Sequence, residues 1–336
     1  MSETETPIVL SVVIPCYNEE EVLPETVKQL GGLLESMVSE NLIHPDSHLC
    51  LVDDGSKDNT WPIIKELSAK SNQVRGLKLA RNRGHQNALL AGLENAEGDV
   101  LVSIDADLQD DITVIRTMVK EYYSGNEIVY GVRKKRTTDS FFKRVTAEGY
   151  YYLLSKMGVN IVFNHADYRL MSRRAIEALR RYEEVNLFLR GIIPTIGFST
   201  AEVYYDRAER FAGESKYPLK KMLALALDGV TSFSAVPLRF IAGLGLIIFI
   251  FSMLISIWAL GIRLFTDEAI PGWASSVLPM YLLGGIQILS LGVIGEYVSK
   301  VYMETKRRPR YFIERAAGNA AGTKLQSQKT KYRTLA

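Results

Sequence analysis

Two aspartates one residue apart, Asp105 and Asp107, follow the apolar run Val100-Leu101-Val102 almost at once. A buried strand that ends abruptly in carboxylates delivers them to its carboxyl end, where open α/β sheets bind ligands. Alternate residues of an extended segment point the same way, so both carboxylates can face one hard cation, with the Gln109 amide oxygen as a third donor. So small a donor set leaves room for a substrate diphosphate. Taken alone, Asp-x-Asp is equally compatible with a solvated loop whose aspartates cap a helix. A second acidic turn, Asp53-Asp54-Gly55-Ser56, ends another apolar run, and Pro15-Cys16-Tyr17-Asn18-Glu19 ends a third. Basic residues gather in two places. Arg81 and Arg83 stand beside Gly84, just before a helix expected from about Gln86, an anion-binding corner by charge and helix dipole, or else a solvated turn. Arg133-Lys134-Lys135-Arg136, with Lys143-Arg144 beyond, could hold a phosphate bidentately, or be a solvated or membrane-facing basic run.

These groups need a scaffold that brings them to one edge. Apolar runs at Ile8–Ile14, His48–Val52, Gly76–Leu79, Val100–Val102 and Glu127–Val132 read as strands. Helical stretches at about 22–39, 60–71, 86–95 and 112–123 separate them. Strand and helix alternating four times, with short Gly, Asp and Asn connections, predict an α/β fold with a doubly wound, mainly parallel sheet. Neither G-x-G-x-x-G nor G-x-x-x-x-G-K-[ST] occurs, which argues against dinucleotide and P-loop readings. Cys16 and Cys50 fall in predicted strands and read as small reduced core residues.

With 336 residues and a net charge of +2, no global field points to nucleic acid. Two uncharged stretches stand late in the chain, Phe240 to Ile262 and Ala269 to Gly295, the second broken by Pro271 and Pro279 and trimmed by the proline near its start to a helix of about 275–298. Each exceeds the roughly 20 residues that a hydrocarbon core requires, so both are expected as transmembrane helices rather than buried core helices. Lys220, Lys221 and Arg239 precede them and Lys306, Arg307, Arg308 and Arg310 follow, which predicts both ends in the cytoplasm. Met1–Thr6 is polar and unlike a signal peptide. Residues 217–236 interleave leucines with Lys220 and Lys221, as an interfacial or a core helix would.

In order along Ile8 to Tyr217 stand Pro15-Cys16-Tyr17-Asn18-Glu19, Val52-Asp53-Asp54-Gly55-Ser56, Arg83-Gly84-His85-Gln86-Asn87-Ala88, Asp105-Ala106-Asp107-Leu108-Gln109 and Arg210-Phe211-Ala212-Gly213-Glu214-Ser215-Lys216-Tyr217. Together they resemble the family 2 glycosyltransferases of the GT-A fold, in the branch that acts on polyprenyl phosphates. The resemblance implies a nucleotide-sugar site at Pro15, Tyr17, Glu19, Asp54, His85 and Asp105. It implies Mg2+ or Mn2+ on Asp105, Asp107 and Gln109, and an acceptor-phosphate site at Arg133, Lys143 or Arg144, Arg210 and Lys216. The segment Asn164-His165-Ala166-Asp167-Tyr168-Arg169-Leu170-Met171 is similar to the family's Asp-x-Arg-Leu-Met turn, which makes Asp167 a candidate base or an orienting group, with His165 a packed neighbour. The implied enzyme is an inverting hexosyltransferase moving a sugar onto undecaprenyl or another polyprenyl phosphate at the inner membrane, UDP-glucose being the favoured donor. GDP-mannose, UDP-GlcNAc or a UDP-aminoarabinose derivative are the alternatives. A processive synthase would carry Gln-x-x-Arg-Trp, which is missing; a noncatalytic nucleotide-sugar sensor is the rival of a different class.

The expected organisation is a catalytic domain over 1–217, an amphipathic segment over 218–236, two spans with a short external loop over 237–305, and a basic disordered tail over 306–336. A homo-oligomer is compatible with all of this.

Overall fold

The computed structural model describes residues 6–133, 165–185, 187–206 and 273–318, with scattered positions between 238 and 254. The chain divides into two compact units, one of residues 1–151, 160–216 and 308–336, the other of 152–159 and 217–307.

The first unit is built on β1 (Leu10–Cys16), α1 (Leu23–Ser39), β2 (His48–Asp53), α2 (Thr60–Lys70), β3 (Val74–Leu79), α3 (His85–Asn95), β4 (Val100–Ser103), α4 (Val114–Tyr123) and β5 (Ile128–Arg133). It continues through β6 (His165–Ser172), α5 (Arg173–Leu179), α6 (Leu189–Thr195), β7 (Thr200–Tyr205) and, after the second unit, β8 (Ile313–Ala317). The eight strands form one sheet in the order β7-β5-β6-β4-β1-β2-β3-β8. The expectation of a mainly parallel sheet holds only for its centre. β3, β2, β1 and β4 run parallel, as do β5 and β7, but β6 is antiparallel to both β4 and β5, and β8 is antiparallel to β3.

The central strands are apolar on both sides because both sides are covered. Leu10, Val12 and Ile14 of β1 pack with Leu49 and Leu51 of β2 against Leu30, Leu34 and Met37 of α1 and Met118 of α4. On the opposite face α3 lies so close that a Cβ at Gly92 would come within 2.2 Å of Val13 Cγ1, which only glycine permits. Pro15 does not end β1 as expected but sits within it, opposite Val52. The Cys16 carbonyl accepts the Asp54 N–H on the β2 side, and the Val13 carbonyl accepts the Ile104 N–H on the β4 side. By alternation the Pro15 nitrogen faces β4, whose ladder with β1 has already stopped at Ser103, so no donor is missed.

Three further expectations need correction. The Asp-x-Arg-Leu-Met segment is no turn but β6, held inside the sheet between β4 and β5. The stretch expected to be a disordered tail contains β8, and Tyr311 and Arg310 just before it are fastened to the end of α3: Asn95 Nδ2 donates to Tyr311 Oη at 3.0 Å, Tyr311 Oη donates to Glu94, and Arg310 Nη1 lies 3.8 Å from Glu94. The helix expected over about 275–298 runs further at both ends, from 273 to 305.

That helix, α7 (Trp273–Thr305), belongs to the second unit. Its described side chains run unbroken only from Ser290, and among the described residues no helix is long and apolar enough to cross a membrane. The first expected span and the 218–236 segment fall largely outside the described residues. Cys16 and Cys50 are buried free thiols, as expected.

Candidate active site

The register of the sheet brings the chemistry together. β4 and β6 pair antiparallel with Val100 opposite Ser172 and Ser103 opposite Arg169, so that two residues on, the chain puts Asp105 opposite Asp167. Ser103 Oγ locks this alignment by donating to the Asp167 carbonyl at 2.5 Å. Asp105 and Asp107 are partly exposed on either side of the buried Ala106, the alternation an extended segment demands. Thr26 Oγ1, in the first turn of α1, donates to the Ala106 carbonyl at 2.7 Å and fixes the segment from behind. Leu108 then takes a positive φ of 54°, unusual for a branched residue, and the Gln109 N–H turns back to Asp107 Oδ1 at 3.3 Å. Gln109 itself is buried.

The loop before α3 supplies the third side. Asp54, expected at the nucleoside, spends both carboxylate oxygens on this loop, accepting the N–H groups of Arg83 at 2.7 Å and Gly84 at 2.9 Å. Burial pushes its carboxyl upward and those two N–H groups partly offset this. Gly55 lets the Asp-Asp-Gly-Ser turn approach: its φ is +67°, and a Cβ there would stand 2.7 Å from Arg81 C and Asn82 N. The result is that His85, first residue of α3, reaches the carboxylates. Its Nε2 lies 3.6 Å from Asp105 Oδ1 and 3.6 Å from Asp167 Oδ2.

Asp167 is the hub. Arg169 Nη2 donates to its Oδ1 at 2.5 Å, Arg190 Nε to Oδ1 at 3.2 Å and Arg190 Nη2 to Oδ2 at 3.0 Å. Burial works against its ionisation, but Arg190, His85 and Arg169 outweigh burial and hold the carboxyl well below the usual range. The same carboxylates act on His85 in the other direction: burial alone would lower its pKa, yet Asp167 and Asp105 raise it. Asp105 is pushed up by burial and by Asp167, Asp110 and Asp107, with His85 opposing. This crowding of negative charge around two partly exposed carboxylates is what a divalent cation would relieve, so Asp105 and Asp107 fit the implied metal as donors. Among the described residues no group of three or more His, Cys, Asp or Glu forms a metal site by itself.

Arg133 ends β5 next to this cluster but is already engaged. Its Nε and Nη2 donate to Asp110 Oδ1 at 3.2 and 2.9 Å, and Tyr205 Oη donates to the same oxygen at 2.6 Å. Pro15 is buried in β1, while Tyr17 and Glu19 stand at the rim, beside a cleft of about 450 Å3 lined by residues 18–22 with Lys57 and Asp58. Lys143, Arg144, Arg210 and Lys216 lie outside the described residues, and of His165 only the backbone is described. Sequence reasoning missed Arg190, Asp110 and Tyr205. The one signal for Arg190 is a lone cation in the apolar run Leu187-Phe188-Leu189-Arg190-Gly191-Ile192-Ile193.

Residues 11–180, half of the chain and including every carboxylate of this cluster, match the family Glycosyl transferase family 2. The chain belongs to glycosyl transferase family 2. The Bacillus subtilis glycosyltransferase YkoT is 52% identical over 322 residues, 95% of each chain. An Escherichia coli K12 homologue of prophage bactoprenol glucosyl transferase is 39% identical over 307 residues, 91% of this chain and 98% of that one. The bactoprenol glucosyl transferase of Shigella phage SfV is 39% identical over 306 residues, covering 91% and 98%. Among solved structures, glucosyl-3-phosphoglycerate synthase of Mycobacterium tuberculosis, bound to Mn2+, UDP and phosphoglyceric acid, is 21% identical with a TM-score of 0.45, over 67% of this chain and 76% of that one. The family 2 domain is thus a glycosyltransferase built on a mixed α/β sheet.

Proposed function

We propose that this glycosyltransferase moves a hexose from a nucleotide donor, UDP-glucose first, onto a polyprenyl phosphate at a membrane surface, with inversion at the anomeric carbon. One observation carries the reading. Asp105 and Asp107 open at the carboxyl edge of the sheet beside Asp167, His85 and Arg190, in a chain whose relatives over nine-tenths of its length include bactoprenol glucosyl transferases. Asp105 and Asp107 would hold Mg2+ or Mn2+, which when bound supplies positive charge against the diphosphate that departs. Arg190 and His85 add cationic character at the same rim. The acceptor phosphate, like a phosphorylated side chain with a second pKa near ~6, is largely ionised at neutral pH and needs no proton removed. Asp167, tied to two guanidinium groups, therefore serves to hold Arg169, Arg190 and His85 in place rather than to take a proton.

The membrane part rests on the second unit and on connectivity. Phe240, Leu246, Ile247, Phe251, Ile288 and Leu291 are exposed, which suits hydrocarbon better than water. The chain leaves the catalytic unit after Lys216 and returns at Arg308 to place β8 in the same sheet, so any crossings between must be even in number. Two spans satisfy this, with the catalytic unit and both ends on the cytoplasmic side.

The test is mass spectrometry of lipid extracts after full-length protein in membranes is given undecaprenyl phosphate and UDP-glucose, GDP-mannose or UDP-GlcNAc, with Mn2+ or with EDTA. A hexosyl-phospholipid formed from UDP-glucose and abolished by EDTA is the expected result. A product from GDP-mannose alone would change the donor, and none from any donor would end the reading.

A further inference from the structure

Asp167 has more cationic partners than one carboxylate needs, and they differ in what they can do. Arg169 is fully buried, its Nε and Nη1 without hydrogen-bond partners, and it cannot leave. The Arg190 side chain is 34% exposed although it grips Asp167 with two nitrogens. Its backbone is well anchored: the Leu189 N–H donates to Gln86 Oε1 at 2.8 Å, which bolts the start of α6 to the first turn of α3. The guanidinium is thus a reorientable group on a fixed base. Were it to let go, Arg169 would still neutralise Asp167, so no bare carboxylate would be left in the interior. Arg133 has no such latitude, since its partner Asp110 is only 2% exposed and has no second described cation to replace it.

We infer that Arg190 is a phosphate-binding residue of this site, trading Asp167 for a phosphoryl oxygen when substrate enters. The planar two-nitrogen face that now meets a carboxylate matches a phosphoryl group equally well. Asp167 acts as the placeholder that keeps the guanidinium aimed at the rim between turnovers. The incoming phosphoryl oxygen can belong to the donor diphosphate or to the acceptor phosphate. The inference rests on the proposed transferase reading, and the experiment separates the two.

Full-length protein in detergent, wild type against Arg190→Gln and Arg190→Lys, is titrated calorimetrically with Mn2+-UDP and with Mn2+-pyrophosphate, and its KM for undecaprenyl phosphate is measured. Loss of a bidentate charge-assisted contact should weaken binding roughly 10- to 100-fold, with Arg190→Lys recovering part of it. A loss in UDP and pyrophosphate affinity assigns the donor diphosphate. A rise in KM for the lipid with UDP affinity intact assigns the acceptor. Unchanged affinities and KM, with any defect confined to kcat, would overturn the inference and leave Arg190 as a positioning residue for Asp167. Arg190-dependent pyrophosphate binding without any lipid-linked product would sink the transferase reading while sustaining Arg190. Wild-type protein that binds neither UDP nor pyrophosphate would end both. Should Arg190→Gln fail to fold, the milder Arg190→Lys gives the same readouts.

Discussion

Replacing Asp167 by alanine should unfold the protein at lower temperature as well as silence it. Arg169 is fully buried in β6, and the one described hydrogen bond of its side chain is the 2.5 Å contact from Nη2 to Asp167. Removing that carboxylate strands a buried cation beside Tyr130, its neighbour across the sheet, where water cannot reach it. Breaking one side of a buried pair costs about 3–5 kcal/mol, and here Arg190, still cationic nearby, adds repulsion rather than relief. For a catalytic unit of this size, 1 kcal/mol corresponds to roughly 2–4 °C, so the melting temperature should fall by about 6–20 °C. The decisive comparison is the double variant Asp167→Leu with Arg169→Met, which removes both charges and fills their space with apolar side chains. Differential scanning fluorimetry of the full-length protein should show the double variant recovering most of the loss while activity stays absent. If Asp167→Ala melts within 2 °C of wild type, or the double variant is worse than the single, Arg169 does not depend on Asp167 and the hub described above is wrong.

Other consequences follow from the same contacts. His48 is buried, with Nε2 3.3 Å from Ser11 Oγ, and burial lowers its pKa from 6.5 to about 4. A depressed histidine contributes stability that is complete above pH 6.5 and is lost as pH falls towards 4. Between pH 7.5 and 4.5 this residue should account for about 2.5 kcal/mol, measurable as the part of the acid destabilisation that His48→Gln lacks. Truncation after Arg307 should destabilise the catalytic unit rather than merely release a tail, since it removes β8 and the Tyr311 contacts to α3; Tyr311→Phe alone should cost about 1–2 kcal/mol in chemical denaturation. Gly55→Ala should displace the 81–84 loop and lower kcat/KM for the donor at least tenfold with the Asp105 and Asp107 pair untouched, which donor-saturation kinetics would show mainly as a raised KM.

Much of this architecture is visible in the residues. β1, β2 and β4 are mostly apolar runs, the last two leading straight into aspartates, which is the trace of strands covered on both faces. α1 reads as clearly because Leu30, Leu34 and Met37 recur at helical spacing. What hides is the half of the site carried by β6 and α6. His-Ala-Asp-Tyr-Arg-Leu-Met-Ser alternates polar and apolar residues and contains a fully buried arginine, which ordinary burial rules place outside. Only antiparallel pairing with β4, 62 positions away in sequence at the Asp105 and Asp167 contact, explains it. β8 hides because Ile-Glu-Arg-Ala-Ala is an edge strand, half exposed and charged, and the uncharged run before it suggests that the catalytic unit is finished. Asp54 was legible as a carboxylate at the sheet edge, yet that it supports the backbone carrying His85 is something composition does not reveal.

The central claim is that Asp105 and Asp107 hold a divalent cation against the donor diphosphate. Calorimetric titration of UDP into full-length protein tests it most directly, with Mn2+ and with EDTA, for wild type, Asp105→Asn and Asp107→Asn. UDP should bind wild type only with metal present, and either substitution should abolish that dependence and weaken binding at least tenfold. Equal UDP affinity with and without metal, or in both variants, would contradict the account.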